Sequence, residues 1–261
     1  MEHKRIGFVV AHAAHLLTVA GMVMRWRPQV LILTKASQGA GVGQADLICS
    51  GLRMIGLDGQ VSLLDMDESE SYREALRGNF DFHAQAVPQI VDWLKRTAVD
   101  VVFGDAFEAS NYQHDLGCVM LTEALRQCHV QSRRIERFEF PLSCQVSQPE
   151  AVLQYGVFPL GSHETFQLND NELQKKKLMV DWAGGENEFV AHVAPQFPQD
   201  SAEIYRAVAA DRDYLQPPTE LARYYDARGL EEVAAGRYSQ AISFDRHFRP
   251  AVQAICGRNA E

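Results

Sequence analysis

The chain has 261 residues, 46% of them hydrophobic, and a formal charge of −9. That length suits one large α/β domain or two small ones, and the acidic balance argues against nucleic acid or anionic membrane as main partners. No apolar run approaches the roughly 20 residues of a membrane span. The N-terminal apolar stretch is too short and interrupted for a secretory leader. Five scattered cysteines without CxxC spacing fit reduced thiols in a cytoplasm, not a disulfide framework or a zinc knuckle.

In chain order, RIGFVVA (5–11), QVLILT (29–34) and DVVFGD (100–105) are continuous apolar runs, the pattern of parallel strands covered on both faces. VSLLDM (61–66) is a shorter fourth candidate. Residues 16–26, 44–56, 81–98 and 115–128 supply helix-length segments between and after them, with Pro88 early in the third or kinking it. The acidic run DMDESESYRE (65–74) reads as a mobile surface loop, and the basic cluster RQCHVQSRRIERFE as a solvated face because Glu136 and Glu139 interleave. Strands alternating with helices predict right-handed βαβ units and a parallel sheet, whose ligands gather beyond the carboxyl ends of the strands.

Past residue 137 the alternation weakens. RFEFPLSCQV and ETFQLN suggest an antiparallel extension of the sheet. LNDNELQKKKLMVDWAG predicts a helix with Asn169 or Asp170 as N-cap. PQFPQDSAEIYRAV and YLQPPTELARYYDARG read as proline-bounded helices, and the final segment as a strand or turn followed by a short helix. With no repeat or clear linker, residues 1–261 are expected to form a single domain, with a parallel α/β core at 1–137 and a C-terminal elaboration at 138–261.

Three loops should leave the same sheet edge. His12 and His15 follow the first strand, KASQGAGVGQ the second, and Asp105, Glu108, Asn111, Tyr112, Gln113 and His114 the strand at 100–105. Histidines at i and i+3 in a turn entering a helix can face one cation, and His114 would add a third nitrogen. Three neutral imidazoles with an open fourth position make an acceptable catalytic zinc site, but other divalent metals accept the same donors. The competing reading has His12 bonding to a backbone carbonyl and His15 on a helix surface.

These residues resemble the PIG-L/LmbE-like deacetylases, which use zinc to remove N-acyl groups from amino sugars. The family begins with a strand and A-H-P-D-D-E, followed by a glycine; this chain has A-H-A-A-H-L at 11–16 and Gly21. Its second strand ends in L-T before a glycine-bearing loop, as LTKASQGAG does at 33–41. Its P-D-V-V-F, H-P-D-H and later E-A are matched by VDVVFGD, N-Y-Q-H at 111–114 and Glu123-Ala124. LQKKKLMVDWAG resembles the family's lysine-bearing helix. The resemblance implies an α/β, Rossmann-like three-layer fold with a mostly parallel sheet.

By position, the family's zinc ligands become His12, His15 and His114, so a histidine replaces the carboxylate ligand. The family's general base becomes Ala14, which cannot accept a proton. The acid that follows becomes Leu16, and the oxyanion-stabilising histidine becomes Asn111, whose amide can still donate. Random decay would lose ligands as readily as bases, yet all three ligand positions are histidine. Asp105, Glu108 and Asp115 are candidate substitute bases, although loop acids and N-caps look the same in sequence. Tyr112 is a candidate wall of a sugar pocket or a core aromatic, and Gln38 and Gly39 are candidate substrate contacts on a rim loop.

The resemblance implies a cytoplasmic, metal-dependent enzyme acting on a small molecule, an N-acylated amino sugar or related metabolite, by N-deacetylation or a derived reaction. Zinc is the expected divalent metal, with iron as the other choice. The rival reading is a non-catalytic pseudo-deacetylase that binds a sugar metabolite or a partner enzyme; a third is different metal chemistry at a three-histidine site. Whether the chain forms a homo-oligomer is open.

Overall fold

The computed structural model describes residues 3–35, 50–52, 57, 59–130, 133–145, 153–158, 161–186, 200–209, 212–218, 224–236 and 239–257. Among them, β1 (Ile6–Val10), β2 (Gln29–Lys35), β3 (Val61–Asp67), β4 (Val101–Asp105) and β5 (Glu136–Phe140) pair in parallel in the order β3-β2-β1-β4-β5. β9 (Ala202–Ala207) joins β5 antiparallel, and β8 (Glu164–Gln167) joins β9 antiparallel at the edge. A separate antiparallel hairpin pairs β6 (Ser143–Gln145) with β7 (Leu153–Tyr155).

Side chains of the central strands alternate between two apolar layers, as the pleat requires. Phe8, Val10, Val30, Ile32, Val101 and Phe103 face one layer, which includes residues of α1 (Ala20–Trp26) and α6 (Asp170–Glu186). Val9, Leu31, Leu33 and Val102 face the other, with residues of α4 (Val87–Thr97), α5 (Tyr112–Val130) and α8 (Arg249–Cys256). The result is the expected three-layer α/β arrangement with a mostly parallel sheet. No helix among the described residues is long and apolar enough to cross a membrane.

Several local expectations change. The helix predicted at 81–98 is two, α3 (Asp81–Ala84) and α4, because Pro88 occupies the first turn of α4, where a missing N–H costs nothing. The acidic run is the end of β3 followed by α2 (Glu68–Arg77), not a mobile loop: Asp67 caps the helix by accepting the Glu70 N–H at 2.9 Å. SAEIYRA is β9, not a helix. Its inward residues include a charged one, Glu203, so the period-2 pattern is masked in the sequence. The basic cluster is not all solvated either, since Glu139 is fully buried on β5 and paired at 2.7 Å with both Arg206 and Arg212. Of the helix predicted in the second proline-bounded segment the described part is α7 (Tyr224–Ala234), and a π-helical turn (Phe244–Phe248) leads into α8. Most of the helix expected at 44–56 lies outside the described residues.

A buried charge pair ties the C-terminal part to the first crossover. Glu203 accepts the N–H groups of Gly21 and Met22, both at 2.8 Å, and so caps the start of α1. Lys176 on α6 donates to Glu203 at 2.8 Å and to the Thr18 carbonyl at 2.9 Å, with both charged side chains at most 1% exposed. Gly21 is required by close approach, because a Cβ there would stand 1.8 Å from Leu168 Cδ2. Removing one partner of a buried pair strands the other, at a cost of about 3–5 kcal/mol. Lys176→Met should therefore lower stability in urea denaturation by about that amount, and Glu203→Gln added to it should recover part of the loss.

His83 is buried and links α2 to α5. Gln113 Nε2 donates to Ser71 Oγ at 2.6 Å, and Ser71 Oγ lies 2.7 Å from His83 Nε2. A neutral His83 can accept the Ser71 hydroxyl proton through Nε2. Burial lowers the His83 pKa from 6.5 to about 4. The unfolded chain thus takes up a proton that the folded one refuses, and stability should fall as pH drops from about 6.5 to about 4. In His83→Gln this part of the acid dependence should flatten, which denaturation midpoints across that range would measure.

Candidate functional site

The strand order places β1 and β4 side by side at the point where crossovers diverge, β1 leading toward β2 and β4 toward β5. Loops leaving two such carboxyl ends flank the usual ligand position in sheets of this kind. His12 follows β1 by two residues and precedes the 3-10 turn Ala13–Leu17, in which His15 lies, while His114 lies in the first turn of α5 after β4. The three imidazoles converge, each offering a nitrogen within 4.8 Å of the others.

Their outer contacts determine which nitrogen faces inward. Thr34 Oγ1 donates its single proton to the Ala11 carbonyl at 2.7 Å, so at 2.7 Å it accepts from His12 Nδ1–H. His15 Nδ1 donates to Asp105 Oδ2 at 3.0 Å. Both rings then present a lone pair on Nε2. His15 Nε2 stands 3.1 Å from His114 Nε2, and His114 Nδ1 is buried with no partner. Two nitrogens bound to one zinc at about 2.0–2.1 Å stand roughly 3.3 Å apart, so the observed approach suits a shared cation. Burial, followed by the charge of neighbouring imidazoles, pushes His15 and His114 well below the usual histidine range. They are therefore neutral at physiological pH, the state in which imidazole binds metal. This donor set fits a divalent transition metal held by His12, His15 and His114 and does not distinguish zinc from iron.

The acids suggested as substitute bases have other tasks here. Asp105 Oδ2 accepts the Ala11 N–H at 2.7 Å besides orienting His15. Burial raises its carboxyl to about 7, against the Ala11 N–H and the His12 charge. Glu108 accepts the Leu142 N–H at 2.8 Å. Asp115 Oδ1 accepts the N–H groups of Glu108 and Ala109 at 3.0 and 3.1 Å, and burial raises its carboxyl to about 8. That cap holds Ala109 at φ 51, a left-handed conformation strained for alanine. These contacts make all three acids braces of the β1 and β4 loops.

Asn111 Oδ1 accepts the N–H groups of Gln113 at 2.9 Å and His114 at 3.4 Å, capping α5 and leaving its amide NH₂ as the group able to donate. Tyr112 is 1% exposed and packs against Tyr72, His83 and Phe248, so it is a core aromatic and not a pocket wall. Gln38 and Gly39 lie outside the described residues. Ala14 and Leu16 are buried in the apolar layer with Phe8 and Val10, which places no acid at the family's base position. Two residues were missed. Thr34 was visible as the L-T that ends the second strand. Glu68, 3.7 Å from His12 Nε2 through Oε1, was hidden in the acidic run; Asp67 followed three residues later by Glu70 was its signal, the mark of a helix start.

No family model matches the chain, and no curated protein matches it significantly. Solved structures do. A conserved protein from Thermus thermophilus aligns at 13% identity and TM-score 0.53, covering 83% of this chain and 99% of that one. The complex of teicoplanin with a deacetylase from its biosynthetic pathway aligns at 10% identity and TM-score 0.52, covering 80% and 100%. The A40926 pseudoaglycone deacetylase aligns at 14% identity and TM-score 0.51, covering 81% and 100%. The chain thus has the fold of PIG-L/LmbE-type deacetylases, as its motifs suggested.

Outer partners that orient ligating histidines typically account for 10–100-fold in metal affinity. Thr34→Val and Asp105→Asn should each weaken zinc binding to the metal-free protein by about that factor in competitive chelator titrations.

Proposed function

We propose that this protein is a metal-dependent amide hydrolase that removes an N-acyl group from an amino sugar or a related metabolite. The observation that carries the reading is the convergence of three imidazoles at the strand switch point, two of them held with Nε2 inward by Thr34 and Asp105. His12, His15 and His114 would hold the metal. A divalent ion there supplies Lewis acidity, polarising an acyl carbonyl and lowering the pKa of a water. The chain's own residues do the rest. Asn111, fixed by its capping bonds, offers an amide N–H to the developing oxyanion. Asp105 keeps His15 in one tautomer, and the Asp115 brace holds the loop that carries Asn111 and His114. The deacetylases among the fold neighbours support this class of reaction without identifying the substrate.

A second reading has one observation in its favour. Ala14, at the family's base position, is 4% exposed and offers only a methyl group, as expected of a pseudo-deacetylase that binds a sugar metabolite or a partner enzyme. The two readings part on activity. Protein purified without a metal-binding tag should carry stoichiometric metal, and His12→Ala should lose it. The wild type should release amine from a panel of N-acetylated amino sugars, and His114→Ala should not. A wild type without bound metal, on isolation or on titration with zinc or iron, would overturn the hydrolase reading. Bound metal with activity only in Ala14→Asp would favour the pseudo-deacetylase.

A further inference from the structure

We propose that Glu68 takes the proton from the water that attacks the acyl carbon, the task that Ala14 cannot perform; this rests on the metal-hydrolase reading above. Glu68 is the first residue of α2, directly after β3, and its side chain therefore leaves the same carboxyl edge of the sheet as the three histidines. Its Oε1 stands 3.7 Å from His12 Nε2, the nitrogen that Thr34 turns inward. The three histidine nitrogens form a group within 4.8 Å, and Glu68 stands outside it. The carboxylate is thus beside the donor triangle and not a member of it, as a proton acceptor should be.

The other nearby acids are committed. Asp105, Glu108 and Asp115 are at most 3% exposed, and each accepts backbone N–H groups. The Glu68 side chain is 25% exposed, so it can reach water and adjust its rotamer. Its position is nonetheless determined. Asp67 caps the helix it begins, and Ser71, one turn further on, ties that helix to Gln113 beside His114. In the reaction, the water oxygen bonds to the acyl carbon while one of its protons passes to Glu68. The C–N bond then breaks, that proton passes to the departing nitrogen, and the acid leaves with the second one. Free amine and carboxylic acid result, with Glu68 returned to its starting state.

The test uses full-length protein reconstituted with cobalt(II), whose visible absorption reports occupancy, with acetohydroxamate as a reaction-independent probe that surrenders a proton on binding. In Glu68→Gln, cobalt affinity should stay within about threefold of wild type. Acetohydroxamate should bind at least tenfold more weakly, and amine release should fall about 10²–10⁴-fold, the usual loss of a general base. Glu68→Asp should recover part of both. If Glu68→Gln loses cobalt as His12→Ala does, the residue is a ligand and the proposal fails. Equal hydroxamate affinity in cobalt-loaded wild type and Glu68→Gln would also overturn it, whether or not a substrate in the panel is turned over. A wild type that takes up no cobalt instead removes the hydrolase reading, and Glu68's role with it.

Discussion

The site depends on one buried oxygen. Oδ2 of Asp105, at the end of β4, accepts the N–H of Ala11 at the end of β1 and the Nδ1–H of His15 in the turn that follows. It thereby joins the two strands at the switch point and orients a histidine with a single atom. A carboxylate in that position costs desolvation, which is why its pKa rises, and the cost is tolerable only because strong donors meet it. Asp115 repeats the device one loop further on, where its side chain replaces the hydrogen bonds that an irregular chain with a left-handed alanine would otherwise lack.

Around this centre, buried polar groups connect the layers that apolar packing alone would leave free to slide. Lys176 and Glu203 fasten α6 and β9 to the start of α1. Glu139 between Arg206 and Arg212 fastens β5 to β9 and the segment after it. Ser71, His83 and Gln113 fasten α2 to α5, and therefore Glu68 to His114. Unlike burial of apolar area, such pairings are directional, so they specify relative position as well as adhesion.

Much of the fold was legible because parallel strands buried on both faces are continuous apolar runs, and β1, β2 and β4 stand where those runs are. β9 was not, since Glu203 points inward and breaks the alternation that marks a strand. α2 was not, since its acids resemble a solvated loop until Asp67 is recognised as a cap. The histidine triple was legible as spacing, i and i+3 after one strand and a third after another. The tasks of Asp105, Glu108 and Asp115 were not, because a bracing carboxylate and a catalytic one look alike in sequence and differ only in what surrounds them.

By itself, the sequence determined that strands and helices alternate, that three histidines follow strand ends, and that a methyl group stands where the family it resembles carries its base. Only the tertiary structure decided that Thr34 and Asp105 turn two imidazoles with Nε2 inward and that Glu68 lies beside them. Periodicity and spacing are local properties of a chain. The approach of Glu68 to His12 depends on the pairing of β1, β2 and β3 across more than fifty intervening residues, which no local pattern encodes.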